Sequence, residues 1–401
     1  VARRVDFGAM PRHPDFADRS ARITGSVYEK FKPRMAAQGE NLVALHIGDS
    51  YALPPYPLPV DAAFFHAHPG ANRYCDTFGI APLRDALAAK LREDNRLDVQ
   101  SDNVLVTAGA TNALSATVQT LVNPGDDVMI LAPYWPFFRG MVRAAGGGVI
   151  DVPFYTELDN GNPPAQVSAL MERSLTKNTV AVYVNSPNNP SGKVLTREQL
   201  VAVTAFARSN RLWLISDEAY DGMTYDGREH VSLASFHETL ERSVTVFTFS
   251  KVYMFAGLRL GFAVGSPDTI RAINKAMVHQ LYSPSTLAQQ FMVDPVRTRA
   301  TWSKRFVAEY EATRNAVAKA LRFDAPLPDG AYYFFFPIEK YLRGRSVTDV
   351  VNACLDAGVS VAPGEDFGAH YANWLRICFA GESPERVMLG VERLNGVLTG
   401  A

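Results

Sequence analysis

Cysteine is scarce in this 401-residue chain: Cys75, Cys354 and Cys378 stand far apart, with no Cys-x-x-Cys pair. An odd, scattered set excludes a disulfide framework and suits a reducing compartment. An excess of one charge is missing too. Forty basic side chains meet 41 acidic ones, for a net charge of -1. This near-neutral balance argues against a general nucleic-acid binder, which needs a basic face, and leaves a local anion pocket open. Long apolar runs are absent. Nothing approaches the roughly 18 residues of a membrane helix, and the most apolar stretch, Tyr332 to Phe336, is strand-sized. Arg3 and Arg4 near the start have no apolar segment behind them, unlike a signal peptide. The eight histidines are dispersed and His66-Ala67-His68 has no near partners, so no metal is expected. These absences predict a soluble cytoplasmic protein.

What is present is an ordinary globular composition on a chain too long for one small core, which predicts two domains. Residues 1–45 read as an N-terminal arm and a helix belonging to the small domain, with His13-Pro14 and Lys32-Pro33 as breaks. Residues 46–295 read as a large α/β domain, and 296–401 as a small α+β domain. Residues 50–69, with Pro54, Pro55, Pro57 and Pro59 among aromatics, read as ordered but irregular. Strands are predicted at Val104–Thr107, Asp127–Leu131, Val180–Asn185, Leu212–Ser216, Val244–Phe249 and Leu260–Val264, with helices between several of them. Pro284 and Pro295 are read as breaks in a helical stretch, and later strands at Tyr332–Phe336, Val359–Ala362 and Leu375–Phe379. Short apolar strands separated by helices imply a mostly parallel sheet buried on both faces. Such sheets hold ligands beyond the carboxyl ends of their strands.

Four strand ends carry chemistry. Val244–Phe249 runs into Ser250-Lys251, with Arg259 eight residues on. A lysine at a buried strand end is a costly charge unless bonded, and one escape is an imine with an aldehyde cofactor. A solvated surface lysine is the plain alternative. Thr248, Ser250 and Arg259 around it suit a phosphate. Leu212–Ser216 ends in Asp217-Glu218-Ala219-Tyr220, where Asp217 could cap a helix or keep a pyridine nitrogen protonated. Val180–Asn185 ends in a Pro-Asn-rich turn carrying Asn189 before Pro190. Val104–Thr107 ends in Ala108-Gly109-Ala110-Thr111, a small-residue turn into a helix whose free N–H groups can hold an anion.

Together these strand ends make the sequence resemble the pyridoxal-phosphate-dependent class I/II aminotransferases of fold type I, from Leu45-His46-Ile47-Gly48-Asp49 to Leu375-Arg376-Ile377. The resemblance implies a large domain with a mostly parallel seven-stranded sheet flanked by helices, a smaller α+β domain, and a homodimer with shared active sites. It implies that Lys251 carries the cofactor as a Schiff base and moves a proton between Cα and C4′. Asp217 would pair with the pyridine nitrogen, and Asn189 and Tyr220 with the phenolate oxygen. Ala110, Thr111, Thr248, Ser250 and Arg259 would cradle the phosphate, and Tyr74 would reach the phosphate of the neighbouring subunit. Trp135 would stack on the ring. Arg376 would grip the substrate α-carboxylate with its planar fork, and Gly48 would border the substrate. Thr248 and Ser191 depart from the commoner serine and threonine but keep the hydroxyl.

Transamination between an amino acid and a 2-oxo acid is the expected reaction. Carbon–sulfur lyases, cyclases and synthases share these residues, so a β/γ-elimination or side-chain cyclisation is the alternative. Ala276–Gln290 contains no arginine or lysine and offers His279, Gln280 and Tyr282 instead, while Thr111 stands where some acid-specific relatives use lysine. Tyr51, Tyr56, Phe64 and Tyr282 then predict a neutral or aromatic substrate, unless Arg73 or Arg139 folds in.

Overall fold

Runs of Val, Ile and Leu without polar alternation build strands that are covered on both faces. The computed structural model describes residues 20, 21, 23, 27–56, 61–158, 164–236 and 240–400. His13-Pro14, Pro57 and Pro59 lie outside the described residues. Seven strands form one sheet in the order Val104–Thr107, Gly261–Val264, Ser243–Thr248, Trp213–Asp217, Thr179–Asn185, Asp127–Ala132, Gly148–Pro153. Gly261–Val264 runs antiparallel to both neighbours; the other pairings are parallel.

Side chains alternate between the faces with the period of two that strands impose. Met129, Leu131, Val182, Val184 and Leu214 pack against helices Pro164–Glu172 and Arg197–Ser209 through Val167, Met171, Leu200 and Phe206. Val128, Ile130, Ala181, Tyr183 and Ile215 pack the other way, onto Leu114, Phe138, Ile270 and Ile273 of helices Gly109–Leu121, Pro136–Ala144 and Pro267–Leu281. Ser266, Ser346 and Ser383 cap helices Pro267–Leu281, Val347–Asp356 and Pro384–Thr399, each hydroxyl accepting an N–H of the first turn.

The reversed strand shapes the rim. Gly261 pairs with both Thr107 and Thr248, so its start lies where the parallel strands end. Arg259, just before it, thereby joins Gly109, Asp217 and Lys251 at one edge. A second, antiparallel sheet takes the order Ala362–Pro363, Trp374–Cys378, Tyr333–Pro337. Val43–Ala44 pairs in parallel with Val359–Ser360. The single strand predicted over Val359–Ala362 is thus split between two sheets, its halves facing different partners.

Several elements escape the sequence reading, helix Pro164–Glu172 and the short strand Val43–Ala44 among them, and three more show why. Gly148–Pro153 is an edge strand, only half-buried and led by glycines. Helix Ala81–Asp94 buries Leu83, Ala86, Leu87 and Leu91 at helical spacing. Helix Ala62–Ala67, started by the Asp61 carboxylate accepting from the Phe64 N–H at 2.9 Å, lies inside the stretch read as irregular. Pro284 separates two helices as expected. Pro295 does not break its helix, Thr286–Arg297. It sits in the last turn, so the helix ends two residues after it. That helix runs through the boundary drawn between residues 295 and 296.

Candidate active site

The strand ends and the second sheet enclose a cavity of about 440 Å³. Gly48, Ala110, Thr111, Trp135, Asn189, Asp217, Tyr220, Thr248, Ser250, Lys251, Arg259 and Arg376 all line it. Of the cofactor- and substrate-binding residues that the family resemblance implies, Tyr74 alone does not. It is 82% exposed and meets the edge of Tyr282, ring centres 5.0 Å apart.

Lys251 follows strand Ser243–Thr248 and donates from Nζ to the Gly48 carbonyl at 2.7 Å. Burial lowers its pKa from 10.5 to about 8, against the pull of Asp49. Asp217 ends its strand almost fully buried, and desolvation raises its carboxyl to about 6. Two donors restrain that rise. Tyr183 Oη donates to Oδ2 at 2.6 Å, and the Ala219 N–H to Oδ1 at 3.1 Å.

Arg376 sits on strand Trp374–Cys378 with Nη1 donating to Asn189 Oδ1 at 2.9 Å and Nη2 to the His46 carbonyl at 2.6 Å. Its guanidinium lies 4.4 Å from the Tyr333 ring centre and 4.9 Å from that of Phe367. Burial, then the charge of Arg376, pushes the His46 imidazole down to about 4, so the ring is neutral near pH 7. Asn189 is fixed from behind, its N–H donating to Asn185 Oδ1 at 2.8 Å. Tyr220 and Tyr333 share a hydrogen bond of 2.7 Å between hydroxyls, and burial holds both phenols protonated.

One corner is built for an anion. Helix Gly109–Leu121 starts without a side-chain cap, leaving its first N–H groups to the cavity. Gly109 has φ +79°, and a Cβ there would come within 2.9 Å of Arg259 Nη2. A Cβ on Gly261 would sit 2.8 Å from the Ala110 nitrogen. Thr248 Oγ1 donates to Ser250 Oγ at 3.0 Å beside them. Uncapped N–H groups, hydroxyls and a guanidinium converge there, while a desolvated lysine and a buried carboxylate lie in the same cavity. This donor set fits pyridoxal phosphate: anion cradle, imine-forming amine and a partner for a pyridinium.

The family model described as Aminotransferase class I and II matches residues 49–394. The chain belongs to this family. It is a pyridoxal-phosphate-dependent aminotransferase and catalyses transamination. The aspartate/prephenate aminotransferase of Thermus thermophilus is 34% identical over 374 residues, covering 90% of this chain and 92% of that protein. A solved Thermus thermophilus aspartate aminotransferase with maleate superposes with a TM-score of 0.86 at 30% identity, covering 96% and 100%. The aromatic aminotransferase from Pyrococcus horikoshii gives 0.81 at 27% identity, covering 92% and 99%.

The aminotransferase departs from the sequence reading in its cavity wall. Tyr51, Tyr56, Phe64 and Tyr282 do not line it. Tyr56 hydrogen-bonds Thr298 at 2.5 Å, Phe64 stacks on His68 in the core, and the Tyr51 N–H is drawn to the Ala380 carbonyl at 2.7 Å. The apolar wall comes instead from Ile47, Leu114, Trp135, Phe137 and Phe367. Arg73 and Arg139 stay outside as well. Asn185, Tyr183 and Tyr333 are further residues the sequence reading missed. Tyr183 lies inside a strand and Tyr333 in an aromatic run, and neither follows a strand end.

Proposed function

We propose that this aminotransferase takes as its specific substrate an L-amino acid with a neutral, apolar or aromatic side chain, and passes the amino group to a 2-oxo acid. The observation that carries this is the lining of the cavity. Among the described residues around it, the arginine and lysine side chains are Lys251, Arg259 and Arg376. Arg259 belongs to the anion corner and Arg376 is poised for an α-carboxylate. Among the described residues no further arginine or lysine lines the cavity for a side-chain carboxylate, and Ile47, Trp135 and Phe137 offer apolar surface. Relatives named for aspartate and for aromatic substrates both share this fold, so chemistry, not name, favours the neutral class.

Pyridoxal phosphate, when bound, supplies the aldehyde and an electron-withdrawing pyridinium ring. The uncapped turn at Ala110–Thr111, with Thr248, Ser250 and Arg259, binds the phosphate. Asp217 holds a proton at the ring nitrogen. Asn189 and Tyr220 hydrogen-bond the phenolate oxygen, and Trp135 covers the ring face. Arg376 binds the α-carboxylate bidentately and so orients the Cα–H bond. Lys251, whose amine burial brings to about 8, would take the Cα proton as general base and move it to the C4′ carbon of the bound cofactor. Gly48 leaves room for the substrate beside Tyr333. The chain works as a homodimer in the cytoplasm, with Tyr74 completing the partner's phosphate site. The exposure of Tyr74 and of Phe137 supports that assembly, and the scattered free cysteines support the compartment.

Initial rates with phenylalanine, leucine, aspartate and glutamate as donors to a common 2-oxo acid test the specificity. Phenylalanine or leucine is expected to give the highest kcat/KM. Aspartate or glutamate exceeding both by tenfold would overturn it.

A further inference from the structure

The carboxylate of Asp217 has a partner that no strand-end motif provides. Tyr183 lies on strand Thr179–Asn185, fully buried, two residues before Asn185 and so on the same face. Asn185 is the register partner of Asp217 on the adjacent strand. Two residues of strand span roughly 6.6 Å, about the length of a phenol ring with its oxygen. A tyrosine at this one position therefore reaches along the sheet surface to the neighbouring strand's end. Its Oη donates to Asp217 Oδ2 at 2.6 Å, a length typical of a bond to an ionised acceptor. The ring has no freedom to leave. It stacks on Phe138 with centres 3.8 Å apart and planes 17° apart.

We propose that Tyr183 is a positioning residue for transamination: its hydroxyl fixes the orientation of the Asp217 carboxylate and holds it ionised, so that the proton of the cofactor pair resides on the pyridine nitrogen. This rests on the assignment of Asp217 to that nitrogen. The physical need is plain. A carboxylate facing a pyridine in a dry site can take the proton itself, leaving two neutral groups and a weak electron sink. Donors to the carboxylate oppose that transfer. Among the described residues Asp217 receives two such bonds, and the Ala219 N–H is the other. The remaining charged or titratable neighbours cannot substitute. Glu218 is acidic and engaged by His230, Ser216 and Ser232; Tyr155 accepts the Asn185 N–H; Lys251 donates to Gly48. Burial keeps Tyr183 protonated, so its role is to donate and never to accept from Asp217.

Tyr183→Phe removes one oxygen and keeps the stacked ring. The holoenzyme is reconstituted with pyridoxal phosphate labelled with ¹⁵N in the ring, and the nitrogen resonance is read at neutral pH. In the unaltered protein it is expected near the position of a protonated pyridine. In Tyr183→Phe it is expected to move towards the unprotonated position, with kcat lower by roughly tenfold or more and the KM for the amino donor nearly unchanged. A resonance that stays in place with cofactor bound would overturn the proposal, whatever happens to thermal stability. Should Tyr183→Phe not fold, 3-fluorotyrosine at position 183 carries the test. This stronger donor must hold the resonance at or beyond the protonated position, and movement towards the unprotonated one refutes the proposal. A nitrogen signal indifferent to Asp217→Ala would instead bring down the assignment of Asp217, and this inference with it.

Discussion

A lysine buried beside tyrosines and under an arginine gives up much of its basicity, and that is the chemical point of Lys251. Desolvation brings its amine to about 8 from 10.5. An amine attacks an aldehyde only when unprotonated. The lowered value leaves roughly one amine in ten neutral at pH 7, where an ordinary lysine would have fewer than one in a thousand. The rate at which cofactor-free protein takes up pyridoxal phosphate should therefore climb with pH and level off above about 8. Stopped-flow absorbance reads this directly, and a rise that continues towards pH 10.5 would show an unperturbed lysine. Arg376 makes the matching case for substrate. It is held between Asn189 and the His46 carbonyl and backed by two aromatic faces, so its fork is already oriented. Arg376→Leu should lower kcat/KM by roughly 10- to 100-fold, from about 1.5–3 kcal/mol for a charge-assisted bond.

Elements bring these residues together, and how readily each is found depends on where it sits in its element. Lys251, Asp217, Asn189 and Ala110 come directly after buried strands, so hydropathy runs point at them. Arg376 was accessible only through its family resemblance, since a lone arginine on a short strand has no local signature. Tyr183 and Tyr333 were hidden for a physical reason. A tyrosine inside a strand is ordinary core filling until the register of the next strand is known. Gly148–Pro153 was missed because edge strands bury one side only and lose the continuous apolar run. The segment around Gly48 shows how tightly two elements meet: a Cβ there would fall 2.2 Å from Tyr333 Oη. Gly48→Ala must displace that phenol and disturb its bond to Tyr220. We expect a stability loss of about 1–3 kcal/mol from overpacking and a fall in kcat/KM. Adding Tyr333→Phe, which removes the clashing oxygen, should recover part of the stability in thermal melts.

At the scale of the whole molecule, the cavity draws on residues from Gly48 to Arg376, so sequence-distant segments must close on one another before any chemistry is possible. Tyr74 stands apart, exposed and outside the cavity of its own chain. If it serves the partner's phosphate corner, Lys251→Ala and Tyr74→Ala fail in different ways. Unfolding and refolding the two variants together should produce mixed dimers with one intact site and measurable activity, while each variant alone stays impaired. No gain on mixing would place Tyr74 outside the active site altogether. All of this chemistry depends on which amine holds the cofactor. Borohydride reduction of the holoenzyme, followed by proteolysis and mass spectrometry, identifies that amine. The pyridoxyl mass should be found on the peptide carrying Ser250-Lys251; its appearance on another lysine, or on none, would contradict the account.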